Sequence, residues 1–282
     1  MSNRRALCVG INLFKNYPGS TLHGCVNDAN QMIGVLTKLL GFSGTTGTNA
    51  DIKLLTDAQA TKAAIMAELK TMVDGAKAGK YGYLVFSMSS HGTQVPDKNA
   101  DEADHYDEAF CPHDLAASAG QWDPKHVIVD DELHDFFAQV PDNVLLEVYL
   151  DTCHSGTGLK ALDLMPDRRP RYIAPPSLEA CQKVLPLMAR GLRRRVAEKA
   201  AKNVILSAAC RDTQTSADAY IGGTYHGAFT YYWVHEITAA NNKISRAELL
   251  KRVNKDLHDH GYSQVAQLEC NATQRALAPN PQ

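Results

Sequence analysis

The chain has 282 residues, with 29 Lys plus Arg against 31 Asp plus Glu for a formal charge of −2, and 44% of it is hydrophobic. That composition excludes disorder, collagen and coiled coil, and the length allows one large domain or two small ones with a core deep enough to carry a cleft. No apolar run approaches the roughly 18 residues a membrane helix needs. Met1-Ser2-Asn3-Arg4-Arg5 enters a strand-like segment without a signal-peptide core, so the expectation is a cytoplasmic protein with no membrane partner.

In chain order, Arg4 to Ile11 predicts a buried strand. Asn27 to Leu40 carries apolar residues at 29, 32, 33, 36, 39 and 40, the spacing of an amphipathic helix that Gly41 would end. Ile52 to Leu55 predicts a second strand, and Thr61 is placed to cap a helix running to Lys77. Tyr81 to Met88 is a third strand, whose polar continuation Ser89-Ser90-His91-Gly92-Thr93 leaves its C-terminal end. A long acidic loop follows, then a short helix from Val129 to Phe137. The fourth strand, Val144 to Leu150, runs into Asp151-Thr152-Cys153-His154-Ser155-Gly156.

Between about Lys160 and Ala200 there is no strand pattern. The segment holds Pro166, Pro170, Pro175, Pro176 and Pro186, and its first half predicts an exposed loop, with Leu187 to Ala201 as a basic helix. Asn203 to Ala209 is a fifth strand, Phe229 to Ala240 and Ser245 to His258 are helices, and Val265 to Glu269 is a last strand. Strands alternating with helices imply an α/β architecture, a mainly parallel sheet with helices on both faces.

The near-zero net charge conceals two blocks. Asp97 to Asp151 holds 15 acidic and 2 basic residues, whereas Lys160 to Lys202 holds 11 basic and 4 acidic ones, so each block is suited to the other or to a different partner. The seven cysteines are scattered, at 8, 25, 111, 153, 181, 210 and 270, without the spacing of a zinc or redox pair.

In open parallel sheets the working groups collect beyond the carboxyl ends of the strands. His91 follows the third strand and Cys153 the fourth, so neighbouring strands would bring together a nucleophile and a general base, the needs of a Cys-His dyad. The N–H groups of Gly92 and Cys153 are then candidates for an oxyanion hole. The competing reading is a core thiol and a loop histidine. Other signals are weaker. Gly41 to Gly47 lacks the G-K-[ST] of a phosphate loop, His235-Glu236 lacks a second histidine, and Ser155 lies in no G-x-S-x-G.

These segments resemble the metacaspase family. Ser89-Ser90-His91-Gly92-Thr93-Gln94 is similar to its S-G-H-G-x-Q histidine loop, and Asp151-Thr152-Cys153-His154-Ser155-Gly156 to its D-[ST]-C-H-S-G cysteine loop. Gly24 to Ala29 resembles G-C-x-N-D-A, Tyr106-Asp107-Glu108 resembles Y-D-E, Ile128 to Leu133 resembles I-x-D-D-E-L, and Ser207 to Asp218 with His226 to Thr230 resembles the p10-like end. The likeness runs in order from Arg4 to about Leu250 and is greatest to prokaryotic metacaspases, often called orthocaspases.

The resemblance implies a caspase-like (caspase-hemoglobinase) fold with a six-stranded, mainly parallel sheet. It divides the chain into a p20-like part at 1–159, a basic cleavable linker at 160–202 and a p10-like part at 203–282. It further implies a cysteine endopeptidase that cleaves after Arg or Lys, with an acidic pocket for that side chain (S1) lined by Asp28 and Asp151, helped by Ser89 and Cys25. A guanidinium does require such a pocket, although Asp28 is also placed to cap its helix.

Arg168, Arg169, Arg171, Arg190, Arg193, Arg194 and Arg195 are then candidate self-cleavage positions in a segment open to nicking. Calcium is implied as an activator at Asp107, Asp130 and Asp131, with no cofactor needed for the chemistry itself. Lys160 stands where a fourth carboxylate belongs, and Asp163 is its nearest replacement. Ser90 stands where the family has Gly.

The expected partners are proteins or peptides with a basic residue before the cut, including the chain itself. Nucleic acid is not expected, since the basic segment is broken by proline and lacks interleaved aromatics. A monomer is expected. The alternatives are a non-catalytic caspase-like scaffold and another Cys-His hydrolase of the legumain or gingipain sort.

Overall fold

The computed structural model describes residues 3–96, 106–153, 167–177, 203–211 and 214–280. The elements through the first half are β1 (Arg4–Gly10), α1 (Cys25–Lys38), β2 (Ile52–Thr56), α2 (Lys62–Lys77), β3 (Tyr83–Ser89), β4 (Gly92–Pro96), β5 (Tyr106–Phe110), β6 (Ala117–Ser118), β7 (Gln121–Trp122), β8 (Ile128–Val129), α3 (Asp130–Phe137) and β9 (Leu145–Asp151). After them come β10 (Arg168–Pro170), β11 (Val204–Ala208), β12 (Ala217–Ile221), β13 (Thr224–Gly227), α4 (Ala228–Ala239), α5 (Arg246–Asp259), β14 (Gln267–Glu269) and α6 (Ala272–Ala276).

The central sheet has six strands in the order β14-β11-β9-β3-β1-β2. All neighbours run parallel except β14, which pairs antiparallel with β11 at the edge. Period-two alternation explains why both faces are covered. Leu7 and Val9 of β1, Leu84, Phe86 and Met88 of β3, and Leu146, Val148 and Leu150 of β9 turn into one core with α2 and α3. Ala6, Cys8, Tyr83, Val85 and Tyr149 turn into the other, with α1, α4 and α5.

Helix starts follow the chemistry of their first residues. The Ala64 N–H donates to Thr61 Oγ1 at 3.2 Å and the Glu248 N–H to Ser245 Oγ at 3.2 Å, so α2 and α5 carry side-chain N-caps. α1 has none. Its preceding N–H groups, His23 and Gly24, donate instead to the Asp218 carboxylate of β12, both at 2.9 Å. Asp28 is therefore not the cap that its position in sequence allowed.

Two expectations need correction. The stretch after the third strand is not simply a loop: β4, β5 and β8 form a three-stranded antiparallel sheet, and β6 and β7 a short ribbon. Nor is the described part of the basic segment, residues 167–177, a loop throughout, because β10 pairs antiparallel with β12, which pairs with β13, and Arg171 is fully buried. Three residues containing a proline show no periodicity from which a strand could be read. Residues 154–166 and 178–202 lie outside the described residues, and with them Lys160, Asp163, Arg190, Arg193, Arg194, Arg195 and the expected basic helix. No helix among the described residues is long and apolar enough to cross a membrane.

Candidate active site

Strand register builds the site. Ser89 at the end of β3 lies opposite Gly10 of β1 on one side and Asp151 of β9 on the other. The two loops that carry His91 and Cys153 thus leave adjacent strands at the same level, about 4.8 Å apart. The loop before α1 arrives at the same edge. Gly10 permits this, since a Cβ there would stand 2.4 Å from the Cys25 carbonyl oxygen.

His91 is 4% exposed, and its ring lies against Phe14 at 5.0 Å between centroids. Nε2 is 2.7 Å from the Ser20 carbonyl. A carbonyl can only accept, so Nε2 carries the proton and the Nδ1 lone pair is the basic face. Ser90, the departure from the family pattern, is accommodated: its hydroxyl donates to the Cys111 carbonyl at 2.6 Å, while the Cys111 N–H donates to the His91 carbonyl at 3.0 Å. Cys153 is buried, with its Sγ donating to the Gln214 carbonyl at 3.1 Å.

Burial pulls the His91 pKa from 6.5 down to about 4, against the Ser20 carbonyl, which favours the charged ring, and with the nearby Arg171 guanidinium adding to the fall. The unfolded chain therefore takes up the proton first on acidification. Stability is present in full above about pH 6.5 and is lost as the pH falls towards 4, by on the order of 3 kcal/mol from this group. Chemical unfolding between pH 7 and pH 4 should show this loss in the natural chain and a smaller one in His91→Gln. Parallel curves would remove His91 as the source.

The acidic residues beside these loops surround one guanidinium. Arg171 is fully buried, with Nη2 at 2.7 Å from Asp28 Oδ2 and 3.0 Å from Asp218 Oδ1, and Nη1 at 3.2 Å from Asp151 Oδ1. Nη1 also donates to the Asp151 carbonyl at 3.1 Å. All three carboxylates are held by further donors: the Gly227 N–H on Asp28, the Ser216 and Thr230 hydroxyls on Asp151, and the His23 and Gly24 N–H groups on Asp218. Gly227 has to be glycine, since a Cβ would stand 2.1 Å from Asp151 Oδ2 and 2.5 Å from Arg171 Nη1.

Burial works to raise the Asp28 carboxyl, but Arg171, His226 and the Gly227 N–H outweigh it and hold it below the usual range. For Asp151 burial wins, and Asp28 pushes the same way, so its carboxyl is raised despite Arg171. Burial likewise pushes the Cys25 thiol well up, opposed by Arg171.

The backbone of Arg171 is held as firmly as its side chain. Its N–H donates to the Ser216 carbonyl at 3.0 Å, and its carbonyl accepts the Gly92 N–H at 2.9 Å. The Ile173 N–H returns to the Gly92 carbonyl at 3.0 Å, so the segment runs across the histidine loop.

Asp28, Asp151 and Gly92 thus come together as the sequence suggested, and Cys25 lies within electrostatic reach of Arg171. Ser89 sits beside Asp151 but makes no hydrogen bond to Arg171. Sequence reasoning missed Asp218, Ser216, Gly227 and the Ser20 carbonyl. Asp218 was visible as the end of the Ser207 to Asp218 segment.

Among the described residues, Asp107, Asp130 and Asp131 do not form a three-carboxylate cluster. Asp107 and Asp131 line a cavity of about 490 Å³ with Trp122 and Glu132, whereas Asp130 is buried at the start of α3. Calcium takes six to eight oxygens. Among the described residues the ligand atoms of Asp107, Asp130 and Asp131 do not lie within 4.8 Å of one another, and the trio that does is His235, Glu236 and Asp256. A cation is already at the cavity wall: Lys62 Nζ donates to Glu132 Oε2 and to the Pro124 and Val127 carbonyls, each at 2.7 Å.

Comparison with known proteins fits this geometry. Residues 4–164 match the family described as metacaspase, peptidase C14 domain. Metacaspase-1A of Aspergillus fumigatus is 32% identical over 303 residues, covering 95% of this chain and 68% of its own. Metacaspase-1 of Cryptococcus neoformans is 30% identical over 308 residues, covering 95% and 62%.

Among solved structures, protein GSU0716 of Geobacter sulfurreducens superimposes with a TM-score of 0.66 at 22% identity over 98% of both chains. Caspase-1 of Spodoptera frugiperda does so with 0.58 at 12% identity, over 95% of this chain and 86% of that one. The fold is that of the caspases, and the chain belongs to the metacaspase family of cysteine-type endopeptidases.

Proposed function

We propose that the enzyme cleaves after Arg or Lys through Cys153 and His91, and that the Arg171–Tyr172 bond of its own connector is its first substrate. The observation that carries this reading is the seat of Arg171. A cationic side chain in a ring of three carboxylates, with its N–H on Ser216 and its carbonyl on the Gly92 N–H, is held as the residue before a scissile bond (P1) has to be held. Two nitrogens shared among three carboxylates suit the guanidinium fork.

In the proposed reaction the Cys153 thiol leaves the Gln214 carbonyl and passes its proton to His91 Nδ1. Sγ then bonds to the Arg171 carbonyl carbon, and the negative charge that develops on oxygen meets the Gly92 N–H, with the Cys153 N–H as the second candidate donor. Collapse breaks the bond to the Tyr172 nitrogen, and the departing amine takes the proton from His91. A water deprotonated by His91 hydrolyses the thioester, which frees the Arg171 carboxylate and restores the thiol. The steps use only side chains, backbone and water. Calcium at Asp107, Asp130 and Asp131 draws no support from their placement, and no step runs through it.

The test is hydrolysis of an Arg-terminated fluorogenic peptide. The natural sequence should turn it over, and Cys153→Ala and His91→Ala should each fall to background. Equal rates in the Cys153→Ala chain would exclude this nucleophile.

A further inference from the structure

Resting on the reading of Arg171 as the P1 residue, we infer a second cation-selective subsite three residues upstream, at P4, built from the ring of Tyr262 and the carbonyls of His260 and Gly261. Substrates would then be segments with Arg at both P4 and P1. Arg168 occupies this place: its Cζ lies 3.9 Å from the Tyr262 ring centroid, and Nη1 and Nη2 donate to the Gly261 and His260 carbonyls at 2.8 and 2.9 Å.

Among the described residues no carboxylate is paired with Arg168, so the attraction of the subsite has another origin. α5 ends at Asp259, and the next two carbonyls stand at the negative end of the helix, where a cation is favoured. Gly261, at φ +74°, turns the chain out of the helix, and the Tyr262 N–H closes the turn on the Leu257 carbonyl at 2.9 Å. The ring that follows is 8% exposed and fixed against Tyr232, ready to take a guanidinium on its face.

The backbone between the two arginines fits the same pose. Arg168, Arg169 and Pro170 pair antiparallel with Ala219, Asp218 and Ala217. Arg169 is exposed, with Nη1 3.3 Å from the Thr21 carbonyl, so P3 is the least constrained position. A planar donor fork over a ring, bonded to two carbonyls, selects Arg over Lys.

The experiment uses the chain after incubation to complete self-processing, with fluorogenic peptides Xaa-Arg-Pro-Arg in which Xaa is Arg, Lys, citrulline or Val. Citrulline keeps the shape and several N–H donors of Arg without its charge. The expected kcat/KM is about tenfold higher for Arg than for citrulline or Val, with Lys between. Tyr262→Leu should shrink the Arg-to-Val ratio towards one, a ratio that does not depend on the fraction of folded protein. Hydrolysis of all four peptides at equal kcat/KM, or an unchanged ratio in Tyr262→Leu, overturns this subsite and leaves the P1 reading standing. Hydrolysis of none overturns the P1 reading and this inference with it.

Discussion

An Arg171→Gln chain is expected to stay joined between residues 171 and 172 under conditions in which the natural sequence is cut there. Gln brings a polar end but no charge, so Asp28, Asp151 and Asp218 would be left buried together without a counter-ion. Removing one partner of a buried ion pair costs roughly 3–5 kcal/mol. Here the carboxyls would relieve part of that cost by protonation, towards which Asp151 is already displaced. The segment would lose its anchor, and cutting after residue 171 should slow by about 10²-fold or more. Arg171→Lys should retain partial cutting, because an ammonium restores the charge but cannot divide two nitrogens among three carboxylates. Undiminished cutting after residue 171 in the Gln chain would show that the guanidinium does not dock the bond. If the natural chain is never cut there and the Gln chain only melts lower, Arg171 is a permanent structural cation.

The second large effect is expected at Asp218 of β12, which joins the start of α1 to the Arg171 guanidinium. Asp218→Asn keeps one oxygen, which can still accept from the Gly24 N–H, but turns an NH2 towards the His23 N–H and removes the charge opposite Arg171 Nη2. Truncating one side of a buried, hydrogen-bonded charge pair costs about 2–5 kcal/mol, so kcat/KM for an Arg-terminated peptide should fall by about 30-fold or more. Cutting of a peptide with citrulline at P1, slow to begin with, should change far less. A loss of equal size on both peptides would mean that the substitution disturbs α1 instead of the recognition of charge.

The parts of this site that the sequence displayed are those whose chemistry is local. His91 and Cys153 stand directly after strands whose apolar runs are unmistakable, and Asp151 and Asp28 sit in short segments with a family likeness. Asp218 and Arg171 could not be joined in the same way, because the contacts of Arg171 with Asp218, Asp28 and Asp151 span 47, 143 and 20 residues and leave no periodic trace. The three residues of β10 include a proline, so their pairing with β12 is dictated by tertiary docking alone.

The acidic block was harder still, since composition cannot say where each carboxylate points. Glu147 is buried against Arg246 in the core, and Asp114 holds the Lys62 N–H and His126, so part of that charge stabilises the fold and never meets a substrate. The first half of the basic segment was expected to be an exposed loop because it lacks a strand pattern and is rich in proline and arginine. The physics that overrides this is the cost of burying three carboxylates, which Arg171 offsets.

The seat of Arg171 can be tested on the intact chain with no added substrate. Mass spectrometry of purified protein after incubation, run beside a Cys153→Ala control, reads every new terminus directly. The expected result is a fragment beginning at Tyr172 from the natural sequence and none from the control. No terminus at Tyr172, or the same terminus from the Cys153→Ala chain incubated alone, would contradict the claim that Arg171 rests in the pocket as the substrate of Cys153.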